Sequence, residues 1–423
     1  MPCQDRLSCN EQLVRSKEAI EAQTRTMTRI CIVAHFSYGA ITGGKRGHIG
    51  GVERQTSLMA RWLAARGHRV SLLTRDEGQD DETAVDGVRL IKMCRRDSGL
   101  PVARFFHPRW SSLCRAMRQA DADLYYQNCA EYVTGQVALW CRKNGRRFVY
   151  SVASDPECDP RLPEMRTMRE RVLYRYGIRN ADGVIVQTRK QQRMLEEGFG
   201  LPSVILSMPC DGPSETDYRP PPPAGLSGSR ILWVGRISPE KRPHLFLEVA
   251  ASLPDVEFDM AGSSDGDGGY AGRLLSNARA LPNVRVHGRV EASRMPALYR
   301  NSTLLFCTSL YEGFPNTFLE AWSYGLPIVS TCDPDGLLAD RSLGIAAADR
   351  QSLVAGIRQL LGSASRWREM SGNARRFYLQ NHAVDPAMGR FERVFLNVLG
   401  AGTAPDGVPR GKRTEGSTRK EIR

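Results

Sequence analysis

No stretch of this 423-residue sequence approaches the ~20 consecutive apolar residues that a membrane span requires. The first 28 residues are polar and charged and lack the apolar core of a signal peptide, so they are predicted to be a flexible lead-in. No Cys-x-x-Cys pair occurs, and 11 cysteines make an odd count, so neither a disulfide framework nor a zinc site follows. Cys31, Cys307 and Cys332 sit in apolar runs and read as buried thiols, which a reducing cytoplasm suits. Gly39-x4-Gly44-Lys45 approaches a phosphate-binding loop, but Arg46 follows where Ser or Thr should hold magnesium, which excludes an ATPase of that type. His35 and His48 stand alone and read as structural or solvated. No nucleic-acid recognition motif accompanies the basic charge, so nucleic acid is not a predicted partner.

What is present is ordinary for a soluble globular protein, with 41% hydrophobic and 25% charged residues. The length favours two domains. From Arg29 onward, short apolar runs alternate with helical patterns, the mark of parallel sheets covered on both faces. The alternation breaks at a stiff proline-rich linker, 219–229, and then restarts. The predicted fold class is therefore α/β, with two Rossmann-like doubly wound domains over 29–218 and 230–400, C-terminal helices, and a disordered basic tail over 401–423. Such a pair places a cleft at the carboxyl ends of both sheets.

The net charge of +13 is uneven. Arg161, Arg166, Arg169, Arg171, Arg175 and Arg179 crowd one predicted helix, 161–179, while Arg104, Arg109, Arg115 and Arg118 lie among Phe105, Phe106 and Trp110. These clusters suit an anionic partner, of which a membrane surface is the one the aromatics favour; a solvated basic face is the alternative.

The most informative stretch is Leu310-Tyr311-Glu312-Gly313-Phe314-Pro315-Asn316-Thr317-Phe318-Leu319-Glu320-Ala321. It follows the apolar run 304–308, and Phe318, Leu319, Ala321 and Trp322 recur at helical spacing until Gly325. It is a strand-to-helix turn with Pro315 and Asn316 opening the helix. Free N–H groups there attract phosphate. Glu312 and Glu320 would repel it, so their work is gripping sugar hydroxyls; a first-turn carboxylate answering the helix dipole explains Glu320 alone. Arg236 and Lys241 follow the first strand of the second domain and suit the two groups of a diphosphate; a surface pair is the alternative. Gly50-Gly51-Val52-Glu53 opens a helix across the cleft, where glycine permits backbone approach to a ligand or simply close packing. Asp155 ends a first-domain strand and is either an acceptor contact or base, or a helix cap. Tyr126, Gln127 and Asn128 are predicted to line the same wall. The pairs Asp121/Asp123, Asp265/Asp267 and Asp333/Asp335 lie before a strand or in loops, so no metal is assigned.

Those motifs, over residues 29–400, resemble a family 4 (group 1) glycosyltransferase of the two-Rossmann GT-B type. The resemblance rests on Gly235-Arg236 and Lys241, on Glu312 and Glu320 with seven residues between, on Gly325-Leu326-Pro327, and on Gly50-Gly51-Val52-Glu53 and Val184–Thr188. It implies a UDP- or GDP-sugar donor, retention, a front-face mechanism, and no required metal or other cofactor. Carried over, Arg236 and Lys241 neutralise the departing diphosphate, Glu312 contacts the transferred sugar and Glu320 the ribose. Gly50, Gly51 and the turn through Gly313, Phe314, Pro315, Asn316 and Thr317 hold phosphate and sugar, while Arg289 and Val290 border the base. The acceptor would be a glycan or a lipid-linked molecule in cell-envelope polysaccharide or glycolipid synthesis, at the inner face of a membrane. Two features depart from the pattern: Tyr125–Asn128 stands where many relatives carry a histidine, and Gly43–Ile49 is longer and more basic. A nucleotide-sugar 2-epimerase and a non-catalytic sugar-nucleotide-binding or scaffold protein are the alternatives.

Overall fold

The computed structural model describes residues 27–400, apart from 44–49, 82, 102, 130–131, 222–224, 226–227 and 265–267. Most of the lead-in, the basic tail, the Gly44–Ile49 part of the glycine-rich loop with His48, part of the proline-rich linker and the Asp265/Asp267 pair lie outside these residues.

The first sheet contains β1 (Arg29–Val33), β2 (Arg69–Thr74), β3 (Thr83–Val85), β4 (Val88–Lys92), β5 (Leu124–Asn128), β6 (Arg147–Ser151), β7 (Gly183–Val186) and β8 (Val204–Ile205). Its helices are α1 (Tyr38–Thr42), α2 (Gly51–Ala65), α3 (Ser111–Ala120), α4 (Tyr132–Lys143), α5 (Met168–Arg179) and α6 (Arg189–Phe199). The second sheet contains β9 (Arg230–Val234), β10 (Glu257–Ala261), β11 (Val284–Gly288), β12 (Leu304–Cys307), β13 (Ile328–Ser330) and β14 (Gly344–Ala346). Around it lie α7 (Pro243–Ala251), α8 (Gly268–Ala280), α9 (Met295–Arg300), α10 (Asn316–Ser323), α11 (Leu337–Asp340), α12 (Arg350–Leu361), α13 (Ala364–Asn381) and α14 (Val384–Leu399).

Strand order is β3-β4-β2-β1-β5-β6-β7-β8 in the first sheet and β11-β10-β9-β12-β13-β14 in the second. All pairings are parallel except β3 with β4. The order reverses beside β1 and beside β9, so the loops leaving these strands and their neighbours β5 and β12 flank the crevices where such sheets bind ligands. The apolar runs behave as buried strands should: every residue of β12 is buried, as are four of the five in β1.

The sequence misplaces the start of the basic helix. The predicted helix 161–179 begins at Met168, because Thr167 and Glu170 form a reciprocal capping box. Arg161 and Arg166 therefore lie outside it, and Arg161 pairs with Asp159 instead. The Thr167-x-x-Glu170 spacing carried that signal. The short strands β3 and β14 were not predicted; each has only three residues, too few for a pattern to show.

The chain crosses between sheets after β8, and it crosses back at its last helix. Helix α14, predicted from Met388 and assigned with the second domain, lies against the first sheet: Phe391 and Phe395 pack on Tyr126 with ring centroids 6.3 and 5.5 Å apart. Its polar face is fixed too. Glu392 accepts hydrogen bonds from Arg66 at 3.3 Å and pairs with His68 at 3.0 Å, and Trp62 donates to Asp385 at 2.7 Å. One apolar cluster consequently includes residues of both sheets, among them Ile32, Tyr126, Phe318, Trp322 and Phe391. Tyr126 was predicted to line the cleft; it is fully buried with its ring on α14, because its position in the strand alternation faces that helix.

Candidate active site

The turn between β12 and α10 is laced to the loop after β9. Leu310 N donates to Glu240 O at 2.8 Å, Thr308 Oγ1 to Lys241 O at 2.7 Å, and Arg242 Nε to Thr308 O at 2.8 Å. Trp233 Nε1 on β9 donates to Thr308 Oγ1 at 3.0 Å. The two loops thus form one rigid unit, and their functional side chains meet: Lys241 Nζ donates to Glu312 Oε1 in a half-buried ion pair. Arg236, in the same loop as Lys241, is exposed and lies 3.7 Å from Glu240. Arg242 was not singled out by sequence; a cation whose backbone sits at φ 44° and whose side chain grips a carbonyl leaves no spacing signal.

Helix α10 begins at Asn316 with extended Pro315 before it, as predicted. Glu320 lies one turn in. Its Oε1 accepts from Arg54 Nη1 at 3.3 Å, and its Oε2 accepts from Tyr299 OH at 2.5 Å. Each carboxylate oxygen has a second lone pair, so the grip still allows hydroxyl donors from a ligand. Arg54 comes from α2 of the first sheet, and neither it nor Tyr299 was predicted.

The first-domain helix approaches α10 end to end. Gln55 donates to Asn316 Oδ1 at 2.6 Å, and a Cβ on Gly51 would lie 2.0 Å from Asn316 Nδ2. A Cβ there would have to push the Asn316 amide aside. Gly50 N donates to Glu53 Oε2 at 3.0 Å, so Glu53 caps its own helix. Gly313 is similarly confined, since a Cβ there would come within 2.9 Å of Ala153 O beyond β6. The glycines are therefore where the two sheets' carboxyl edges touch.

Asp155 lies behind that contact, accepting from Gln191 Nε2 at 3.1 Å and pairing with Lys190 at 2.7 Å. This is a positioning arrangement at the start of α6. Asp335 of the second domain completes it by capping α6, accepting from Arg189 N at 2.6 Å and Lys190 N at 3.2 Å. Asp333 caps α11, and Asp121 and Asp123 pair with Arg29 and Arg146. Each described Asp-x-Asp pair is thus engaged structurally, and no cluster of metal-ligating side chains occurs among the described residues.

Asn128, at the carboxyl end of β5, is buried with neither amide atom partnered among the described residues. Gln127 Oε1 is likewise unpartnered. Such groups cost free energy unless a ligand meets them. On the other side, Gly288, His287, Ile237 and Ser263 line an open cavity of about 510 Å³ at the ends of β9, β10 and β11. Arg289 and Val290 follow directly, exposed and half-buried respectively.

Behind the turn, Phe314, Trp322 and Phe377 surround His382, with ring centroids 5.5, 6.1 and 5.6 Å away. Burial lowers the His382 pKa to about 4, and its Nδ1 donates to Met208 O at 2.9 Å. The unfolded chain therefore takes up a proton near pH 6.5 that the folded chain refuses until about pH 4. Stability contributed by neutral His382 is complete above pH 6.5 and is lost as pH falls toward 4, by about 3 kcal/mol. Urea unfolding at a series of pH values should show this slope, and His382→Gln should flatten it; an unchanged slope would remove the assignment.

Two sequence families match the chain: "Glycosyl transferase 4-like domain" over residues 50–208 and "Glycosyl transferases group 1" over residues 215–377. The chain belongs to the group 1 glycosyltransferases. Among relatives, the chain is 24% identical over 412 residues to a D-inositol 3-phosphate glycosyltransferase of Rhodococcus erythropolis, covering 87% of this chain and 92% of that one. It is 27% identical over 175 residues to the GtfA subunit of a UDP-N-acetylglucosamine–peptide N-acetylglucosaminyltransferase of Streptococcus pneumoniae, covering 38% of this chain. That match spans 33% of the streptococcal protein's length. Among solved structures, the sucrose-phosphate synthase of Thermosynechococcus elongatus superposes with a TM-score of 0.72 at 18% identity, over 88% of this chain and 99% of that one. The Anabaena protein HepE, in complex with UDP and glucose, superposes with a TM-score of 0.67 at 16% identity, over 87% and 99%. Both likenesses show the GT-B fold expected of a group 1 glycosyltransferase.

Proposed function

We propose that this chain transfers a sugar, with retention, from a UDP- or GDP-sugar to a glycan or lipid-linked acceptor. The observation that carries the reading is the Lys241–Glu312 pair, laced into one rigid unit, with Arg236 in the same loop as Lys241. A departing nucleoside diphosphate gains negative charge as the glycosidic bond breaks. Preformed cations at Lys241 and Arg236 meet that charge without reorganising. Glu312 orients the sugar's hydroxyls, and Glu320, steadied by Arg54 and Tyr299, takes the ribose. The unpartnered amide of Asn128 offers a donor and an acceptor to the incoming hydroxyl, while Asp155 holds the wall behind it. The family and the UDP complex of HepE support a nucleotide-sugar donor. No observation favours the epimerase or the non-catalytic reading.

Thermal-shift screening against UDP- and GDP-sugars, followed by a donor-hydrolysis assay, tests this. Release of free sugar and nucleotide is the expected result; conversion of the donor to another sugar nucleotide would indicate an epimerase, and binding without turnover a non-catalytic protein. An NMR assignment of the product's anomeric linkage then reads retention directly.

The membrane expectation gains a physical basis. Leu100, Phe106, Met168 and Val172 are 74, 63, 68 and 54% exposed, and Arg169 lies 4.1 Å over the ring of Phe105 between them. No helix among the described residues is long and apolar enough to cross a bilayer. Apolar side chains ringed by arginine suit the surface of an anionic one, at the inner face of a membrane. At low salt the chain should float with vesicles containing phosphatidylglycerol and not with phosphatidylcholine alone. Equal behaviour with both would end the reading.

A further inference from the structure

A second recess opens at the carboxyl edge of the first sheet. Its wall is built from the residues leaving β1, β2 and β4 and from α3, the turn before it, and α4. With the space at its mouth it encloses about 310 Å³, but its floor holds only about 20 Å³, room for one water-sized group. Leu113, Val133 and Met93 make the floor apolar. Among the described lining residues the charged and amide side chains are those of Arg75, Arg109, His35 and Gln136, and none carries a carboxylate.

Two of these donors, on Gln136 and Arg109, are not spent internally. Gln136 is 1% exposed, yet its Nε2 has no hydrogen-bond partner among the described residues. Arg109 Nε is buried and also unpartnered, while its Nη2 donates outward to Arg96 O at 3.0 Å. Arg75 lies 4.9 Å over the ring of Phe36 and forms no ion pair with a described residue. Buried N–H groups without acceptors are costly, and each costs most where the surroundings are dry. Two such groups and the half-buried guanidinium of Arg75 lining an apolar floor, with no acidic residue among the described lining residues, select a group that only accepts hydrogen bonds and carries negative charge. A sugar ring is too large for the floor. One oxygen of a carboxylate or a phosphate fits the floor, with the rest of the group in the mouth.

We propose that this recess is an oxyanion subsite for the acceptor, so that the acceptor carries an acidic group which Arg75, Arg109 and Gln136 hold. The inference rests on the transferase reading and extends it to the acceptor's chemical class. Position supports it: the recess shares the carboxyl edge of the sheet with Asn128, on the side where Tyr132 packs 5.7 Å from Phe105 and so adjoins the basic, apolar patch. The anion is either the carboxylate of an acidic sugar or the phosphate of a lipid-linked or polyol acceptor.

The test uses the full chain saturated with UDP, which fills the diphosphate site, titrated calorimetrically with glycerol 3-phosphate, methyl glucuronoside and methyl glucoside. At least one anionic probe should bind roughly tenfold more tightly than the neutral glucoside, and Arg75→Met should remove most of that preference. Gln136→Leu is the second variant, with the same expected loss. Tighter binding of glycerol 3-phosphate identifies a phosphate acceptor, and tighter binding of the glucuronoside a carboxylate. Equal affinity for all three probes, or an anion preference that survives both substitutions, overturns the subsite. The UDP titration of the unsubstituted chain separates the two readings. UDP binding without anion preference removes this inference alone, whereas absence of UDP binding and of donor hydrolysis removes the transferase reading and the subsite with it.

Discussion

Lys241→Ala should lower kcat by roughly a hundredfold or more while leaving the affinity for donor changed far less. The magnitude is that of losing one preorganised charge at a site of developing negative charge. The split follows from when the charge appears. A bound nucleotide sugar already carries its diphosphate, but the additional charge on the leaving oxygen arises only as the bond breaks, so Lys241 contributes most in the transition state. The substitution also strips Glu312 of its partner in the half-buried pair. Glu312→Gln separates the two contributions: it leaves Lys241 charged and should raise KM for donor as well as lower kcat. The control is Lys143→Ala on the exposed end of α4. If Lys241→Ala and Lys143→Ala reduce turnover equally, Lys241 has no role on the diphosphate.

Glu320→Ala should weaken UDP or GDP binding by roughly ten- to a hundredfold, the range for hydrogen bonds to a charged group. Fluorescence or calorimetric titration with the free nucleotide reads this without any acceptor. Glu320 also ties the domains through Arg54 and satisfies the buried hydroxyl of Tyr299. Arg54→Met removes the tie and leaves Glu320 and Tyr299 in contact, so it should cost nucleotide affinity much less than Glu320→Ala. Unchanged nucleotide affinity in Glu320→Ala would sink the ribose assignment. Equal losses in both variants would mean that Glu320 acts by holding the domains together.

The legible part of the site was the part made of local pattern. The run 304–307 is apolar on every residue, Pro315 and Asn316 are helix-opening residues, and Phe318, Leu319, Ala321 and Trp322 mark one helix face. Placing Glu312 on the loop and Glu320 one turn in therefore needed no tertiary knowledge. Placing Lys241 after the first strand of the second domain followed equally from the alternation. Tyr126 shows where local pattern fails. It lies in a strand that ends near the cleft, and only the return of α14 from the far end of the chain decides that its ring is covered by Phe391 and Phe395. Arg54 was missed for the same reason: it is one arginine among many on an amphipathic helix until Glu320, 266 residues later, comes within 3.3 Å.

Gly51 and Gly313 mark the boundary between the two kinds of information. The sequence by itself determined that glycine stands at a helix start and in a turn beside two carboxylates, because periodicity and turn chemistry act over a few residues. It also determined the alternating α/β architecture and the identity of the charged groups. What only the tertiary structure decided is which groups face each other. A Cβ at Gly51 would strike Asn316, one at Gly313 would strike Ala153, Asp335 caps a helix of the other domain, and Gln136 and Arg109 point unpartnered donors into a recess of the first sheet. Those pairings are set by the packing of one sheet's carboxyl edge on the other, a contact between residues hundreds of positions apart that no local pattern encodes.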